Sequence, residues 1–160
     1  VSSGHCQLVC DVKSQRPSLT PTAMSRNGRF FVALLEREVA MWWDARRSEI
    51  DCTEVLRSAP KSTTPSSTLV ATNVRFRAIS EDGALMVGST GYGFSLGEPV
   101  FWTEKEGVQF LLPHLNGLGI KTSQDGYTIG TPECMSRDSR IIAGDAHGQS
   151  GRRPYIIVRR

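Results

Sequence analysis

Apolar runs recur along the chain in three similar groups, each introduced by a short polar segment. The polar segments are Ala23–Arg29, Ala78–Ala84 and Cys134–Arg140, and their serines lie 55 and 56 residues apart. Two apolar runs follow each segment: Phe30–Ala33 and Met41–Trp43, Leu85–Gly88 and Val100–Trp102, Ile141–Gly144 and Tyr155–Ile157. A period of this size predicts one supersecondary unit that is repeated three times.

The polar segments have the composition of tight turns between two strands. Serine and Asp or Asn side chains bond nearby backbone amides, and glycine tolerates a positive φ. We therefore expect Gly83 to adopt a positive φ after Asp82. The predicted structural turn residues are Ser25, Asn27, Gly28, Ser80, Asp82, Gly83, Ser136 and Asp138.

The second unit gives the most complete pattern of strands. Val74–Ile79 alternates apolar and polar residues, as a half-buried strand does. Further strands are predicted over 84–89, 99–103 and 108–112, which makes a four-stranded antiparallel meander. Helical patterns are weak, and the Ser, Thr and Pro residues of 58–67 and the glycines of 115–126 indicate loops. The predicted fold is all-β, with three antiparallel four-stranded propeller-like blades that belong to, or assemble into, a larger propeller.

Length and composition fit one globular domain. We predict a single repeat domain over residues 1–160, with units at about 20–57, 74–112 and 128–158. Hydrophobic residues make up 39% and charged residues 22% of the chain, and the longest apolar runs are too short for a membrane helix. Membrane insertion is therefore not expected. The net charge of +3 is dispersed along the chain and is not interleaved with aromatic residues, so nucleic-acid binding is not expected either.

The four cysteines allow two interpretations. Cys6, Cys10, Cys52 and Cys134 can form two disulfides in an oxidising compartment, or they can be four small buried hydrophobic residues. His5 and Cys6 followed by Cys10 faintly resemble a set of metal ligands. A zinc site needs four ligands, usually in tight pairs, and the sequence has no second pair. We therefore expect no metal ion and no cofactor.

No motif of a catalytic site is found. The chain lacks the Gly-x-Ser-x-Gly nucleophile elbow, and His5, His114 and His147 are isolated from one another along it. The glycines of Gly91–Gly97 do not have the spacing of a dinucleotide-binding loop. A flexible hairpin loop explains that segment better, and Tyr92 and Phe94 at its tip are candidate partner contacts. We therefore expect a protein that is not an enzyme.

The tryptophans lie in the third predicted strand of their units. Trp42 and Trp43 are adjacent, and adjacent residues of a strand point to opposite faces. One of the two is therefore a candidate ligand contact, whereas Trp102 is expected to pack in the core.

The second unit, with Ser80, Asp82, Gly83 and Gly88 and then Trp102, resembles the bacterial extracellular repeats of the HAF type, which look like blades of a β-propeller. The third unit replaces the turn glycine by Ser139 and the tryptophan by Ile157, and the first has Ala33 where the second glycine would stand. The resemblance implies an extracellular or cell-surface location and at least one oxidised cysteine pair, with a cytoplasmic location as the alternative. The sialidase Asp-box is a different motif, because here the glycine follows the Asp or Asn directly.

Three blades cannot close a propeller, which typically has four to eight. The third unit also lacks a predicted last strand, and residues 7–12 are a possible closing strand for it. The sequence therefore predicts assembly into an oligomer or a larger ring. The first functional hypothesis is a scaffold or recognition module that binds another macromolecule, a protein partner or a second copy, through its loops. The alternatives are a carbohydrate-binding propeller, in which Trp42 or Trp43 stacks on a glycan, and a hydrolase with an unrecognised site.

Overall fold

β-Strands dominate the computed structural model, which describes residues 19–35, 39–44, 67–91 and 97–159. This confirms the predicted all-β class. The strands are β1 (Leu19–Met24), β2 (Phe30–Leu35), β3 (Val39–Asp44), β4 (Ser67–Thr72), β5 (Val74–Ile79), β6 (Leu85–Thr90), β7 (Pro99–Thr103), β8 (Gly107–Phe110), β9 (Ser123–Gln124), β10 (Tyr127–Met135), β11 (Ile141–Gly148) and β12 (Gly151–Val158). One short helix, α1 (Leu111–Gly117), is present in the described part of the chain.

The strands form three antiparallel sheets, which we call sheets 1, 2 and 3 in chain order. Sheet 1 has the order β1-β2-β3-β4, sheet 2 has β5-β6-β7-β8, and sheet 3 has β12-β11-β10-β9. Asn73, with a φ of 59°, is the single residue between β4 of sheet 1 and β5 of sheet 2. The outer strand of sheet 1 therefore lies at 67–72, beyond position 57 where the sequence placed the end of the first unit.

Sheet 3 differs in construction from the other two, so the prediction of three equivalent four-stranded blades is wrong. Its additional strand is β9, which has two residues and pairs with β10 at the edge opposite β12. Among the described strands, β12 pairs with β11 alone. The physical reason is that the chain adds β9 before β10 rather than a long outer strand after β12. The possible closing strand at residues 7–12 lies outside the described residues.

Sheet 2 confirms the predicted meander, with one correction at its end. Leu111 and Leu112, predicted as the end of the last strand, begin α1, and this helix also includes residues 115–117 of the predicted loop. Leu111 and Leu115 are four residues apart, lie on one face of the helix and are both buried. Pro113 is tolerated because it lies in the first helical turn, where its missing N–H has no partner to lose.

Two hydrophobic clusters fill the spaces between the sheets. Phe30, Val32 and Leu34 of sheet 1 pack with residues of sheet 2 that include Phe76, Met86 and Trp102. On the other face of sheet 2, Val87 and Phe101 pack with α1 and with Ile142 and Ile157 of sheet 3. The sheets are therefore stacked in chain order, and Trp102 lies in the core as predicted.

The first strand of each repeat contains a β-bulge, and the repeated glycine lies opposite it in sheets 2 and 3. In β5 the register shifts between Phe76 and Ala78, and Phe76 pairs with Gly88. In β10 it shifts on both sides of Pro132, and Pro132 pairs with Gly144. A Cβ at Gly88 would overlap the carbonyl oxygen of Arg75. Glycine permits this close approach of two backbones.

Candidate functional site

The three repeated turns have the same hydrogen bonds. The serine hydroxyl donates to Oδ1 of the Asn or Asp two residues later, at 2.7 Å from Ser25 to Asn27, 2.6 Å from Ser80 to Asp82 and 2.7 Å from Ser136 to Asp138. The same Oδ1 accepts a backbone N–H at 3.0 to 3.1 Å, and the serine Oγ accepts the N–H of the residue five positions on, at 2.9 Å. Because these groups bond one another, the predicted turn residues have a structural role.

The residue after the Asn or Asp has a positive φ in every turn. The values are 69° for Gly28, 75° for Gly83 and 60° for Ser139, so the prediction for Gly83 is confirmed. The bond from Ser80 lowers the pKa of Asp82, and the bond from Ser136 lowers the pKa of Asp138, each with help from a backbone N–H. Both carboxylates are therefore held in their charged form.

The turns lie side by side at one end of the stacked sheets. The side-chain amide of Asn27 donates to the carbonyl oxygen of Glu81 at 3.0 Å. The Glu81 carboxylate pairs in turn with the guanidinium of Arg137. A Cβ at Gly83 would lie 2.8 Å from the ring of Phe30. We call this row of turns, with these cross-links between sheets, the turn row.

Beside the first turn, Arg29 and Asp44 form a two-point ion pair. Nε and Nη2 of Arg29 donate to the two carboxylate oxygens of Asp44 at 3.0 and 2.7 Å. The Asp44 side chain is buried, and its hydrogen bond raises the pKa of Arg29. The pair joins the start of β2 to the end of β3, where Phe30 and Asp44 are in register. Its position makes it a stabilising contact of sheet 1.

The bulged strands bring a second charged pair together. Arg77 of β5 and Glu133 of β10 lie at the bulges of sheets 2 and 3, with 3.3 Å between Nη1 and Oε2. Nearby, the Tyr155 hydroxyl donates to the carbonyl oxygen of Gly130 at 3.3 Å. Burial, together with the charge of Glu133, raises the pKa of Tyr155, so this hydroxyl remains a neutral donor.

A groove of about 530 Å³ opens between sheets 2 and 3 beside α1. Most of its lining is apolar, and polar groups of Thr103, Glu106, His114 and Arg159 are interspersed. The rings of Phe101 and His114 stack at a tilt, with 4.7 Å between their centroids. The apolar lining residues are Leu85, Phe101, Leu111, Leu115, Leu118, Ile120, Ile142, Ile157 and Val158. The volume is within the range of ligand-binding clefts.

The sequence did not predict this groove. His114, which is isolated from the other histidines in the sequence, lies on α1 and contributes to the lining. The available signal was the helical spacing of Leu111, Leu115 and Leu118, which indicates one helical face.

The candidate aromatic contacts are described only in part. In the register of sheet 1, Trp42 is paired with Val32 and Trp43 with Phe31. The structure describes the backbone of both tryptophans and not their side chains. Tyr92 and Phe94 lie outside the described residues. Cys134 is an exposed free thiol, while Cys6, Cys10 and Cys52 also lie outside the description.

The described ranges contain neither a cluster of metal-ligating side chains nor a membrane-spanning helix. In these ranges, no group of three or more His, Cys, Asp or Glu side chains is arranged to hold a metal ion. The helix that the structure describes is neither long nor apolar enough to cross a membrane.

Comparisons with known proteins do not identify a family. No family model matches the chain. A search of curated proteins found no significant match either.

Proposed function

We propose that this protein is a non-enzymatic, propeller-like scaffold whose groove between sheets 2 and 3 binds an extended apolar segment of a partner protein. The groove is the observation on which the proposal depends. The location outside the cell rests on the HAF-type resemblance, and we retain it as part of the proposal.

The stacking of the sheets supports a propeller-like arrangement. The first strands of the repeats are neighbours, because β5 contacts both β1 and β10. Each sheet packs its face on the next through a hydrophobic cluster. Blades of a propeller are related in the same way.

The lining of the groove favours a peptide partner. Leu118 and Ile120 are apolar and exposed there, and exposed apolar side chains grouped in one place are typical of interaction sites. The strand β12 contributes the side chain of Ile157, and among the described strands its other edge has no neighbour. An extended peptide can add main-chain hydrogen bonds to such an edge while its side chains enter the groove.

The carbohydrate-binding alternative has less support. A sugar site built on the repeat would place exposed aromatic residues at equivalent positions of each sheet. Trp102 and Ile157, which occupy equivalent register positions, are both buried between sheets. No specific observation favours the hydrolase alternative.

Selection from a random peptide library on the immobilised chain tests the proposal. We expect enrichment of peptides with apolar residues at alternating positions, and loss of their binding in Leu118→Glu. Phe110→Glu is the matched control, because Phe110 is also an exposed apolar residue but lies outside the groove. Failure to enrich peptides, or equal binding to both variants, would contradict the proposal.

A further inference from the structure

The stack of three sheets ends in two faces that have no partner sheet among the described residues. Ile142 and Ile157 of sheet 3 point toward sheet 2, where they join its hydrophobic cluster. Ile141 and Ile156 alternate with them along β11 and β12, so they lie on the opposite face. We call this the end face of sheet 3. Ile156 is 68% exposed and Ile141 is 44% exposed.

The repeat shows what this face corresponds to. Counting from the turn serines, Ile141 is equivalent to Phe30 of sheet 1, and by register Ile156 is equivalent to Phe101 of sheet 2. Phe30 is 3% exposed and Phe101 is 6% exposed, because each packs against the following sheet. The end face of sheet 3 therefore has apolar residues at the positions that earlier sheets use to bind the next one.

Sheet 1 presents the other half of the same kind of contact. Met24 precedes the turn serine of its repeat, as Ile79 and Met135 precede theirs. Ile79 is 7% exposed in the cluster between sheets 1 and 2, and Met135 packs in the cluster between sheets 2 and 3. Met24, in contrast, is 67% exposed. It marks the end face of sheet 1, where a preceding sheet would pack.

The turn row at this contact would lack the cross-links that are found within the chain. Within the chain, Asn27 reaches the backbone of Glu81, the residue after the next turn serine. The same step beyond sheet 3 would bring Asp138 to Arg26 of a second copy, which occupies the position equivalent to Glu81. The step also brings Arg137 near that Arg26, so neither the bond donated by the Asn27 amide nor the Glu81–Arg137 ion pair is reproduced there, and the apolar end faces carry the contact.

We propose that the end face of sheet 3 binds the end face of sheet 1 of a second copy, in the arrangement by which the sheets stack within one chain. The contact is head-to-tail, and such contacts close into a ring when the rotation permits it. Two copies supply six sheets, a number within the range of closed propellers. This inference depends on the stacking of the sheets and not on occupation of the groove.

The experiment measures solution mass by sedimentation velocity over a range of concentrations. The wild-type chain should have twice the mass of one 17.6 kDa chain. Met24→Glu and Ile156→Lys, each changed at an exposed site, should sediment as folded single copies. Mixing these two variants should restore the double mass. One junction of the mixed pair then joins the two introduced side chains, which have opposite charges, and the other junction keeps the native residues.

Two controls separate this proposal from that of the groove. Phe110→Glu lies on neither end face, and Leu118→Glu changes the groove alone, so both should keep the double mass. A wild-type chain that sediments as a single copy at all concentrations overturns the proposal. A double mass that survives both end-face substitutions also overturns it, since the association would then use another surface. Circular dichroism of each variant confirms that a change in mass does not result from unfolding.

Discussion

Substitution of alanine for glycine in the first two turns should separate backbone strain from steric overlap. Gly28 and Gly83 occupy equivalent positions and have φ values of 69° and 75°. A left-handed conformation costs an L-residue about 1–2 kcal/mol, so Gly28→Ala should lower the free energy of unfolding by this amount. Open space surrounds Gly28, because no heavy atom would lie within 4 Å of its added Cβ.

Gly83→Ala should cost considerably more. Its Cβ would lie 2.8 Å from atoms of the Phe30 ring, which is buried between sheets 1 and 2. Overpacking of this kind adds about 1–3 kcal/mol. The total expected loss is therefore about 2–5 kcal/mol, the sum of the strain and overpacking costs.

Urea unfolding followed by circular dichroism measures both variants. A double-mutant cycle with Phe30→Leu isolates the contact, because a smaller side chain at position 30 should reduce the cost of Gly83→Ala and leave that of Gly28→Ala unchanged. Equal losses for the two alanine variants would refute the steric argument. Full stability of Gly28→Ala would refute the assignment of left-handed strain.

Three further predictions concern the turns and the strands beside them. Since the folded-state pKa values of Asp82 and Asp138 are lowered, the stability they contribute is present above their unfolded pKa of about 3.9 and is lost as pH falls through the folded values. The double variant Asp82→Asn and Asp138→Asn has the residue type that the first turn has at Asn27. Measured by urea unfolding, it should lose less stability than wild type between roughly pH 5 and roughly pH 2. An identical loss would contradict the lowered pKa values of the two carboxyl groups. Arg29→Gln should lower the melting temperature much more than Arg140→Gln, because Asp44 is buried while Asp138 is exposed at 3.9 Å from Arg140; similar shifts would show that the buried pair is unimportant. Gly88→Ala should cost about 3 kcal/mol or more in urea unfolding, because its Cβ meets backbone atoms that cannot move independently; a loss below about 1 kcal/mol would show that the bulge adjusts.

The turns could be predicted from the sequence because their stabilising groups are local. Ser80 bonds Asp82 and the N–H of Leu85, all within six residues. The residue types alone therefore indicate the hydrogen bonds and the left-handed position. The strands of sheet 2 were predictable for a related reason, since successive strands of a meander pair with their neighbours in sequence.

The helix α1 depends on contacts between distant residues, and the sequence did not predict it. Its seven residues include Pro113, Asn116 and Gly117, whose low helix propensity offsets that of the three leucines. Burial of Leu111 and Leu115 against Phe101 and Ile142 supplies the stability that the local sequence lacks. Local propensity therefore does not indicate this helix, because its stability comes from packing.

The same repetition that makes the fold predictable makes the function difficult to predict. Residues that recur, such as Ser25, Ser80 and Ser136, donate their hydroxyl protons within their own turns, which explains their recurrence by structure. The groove includes instead features found once in the described chain, among them α1 and a third strand, β12, that has no fourth strand beside it. The peptide site that we propose therefore depends on departures from the repeat rather than on the repeat itself.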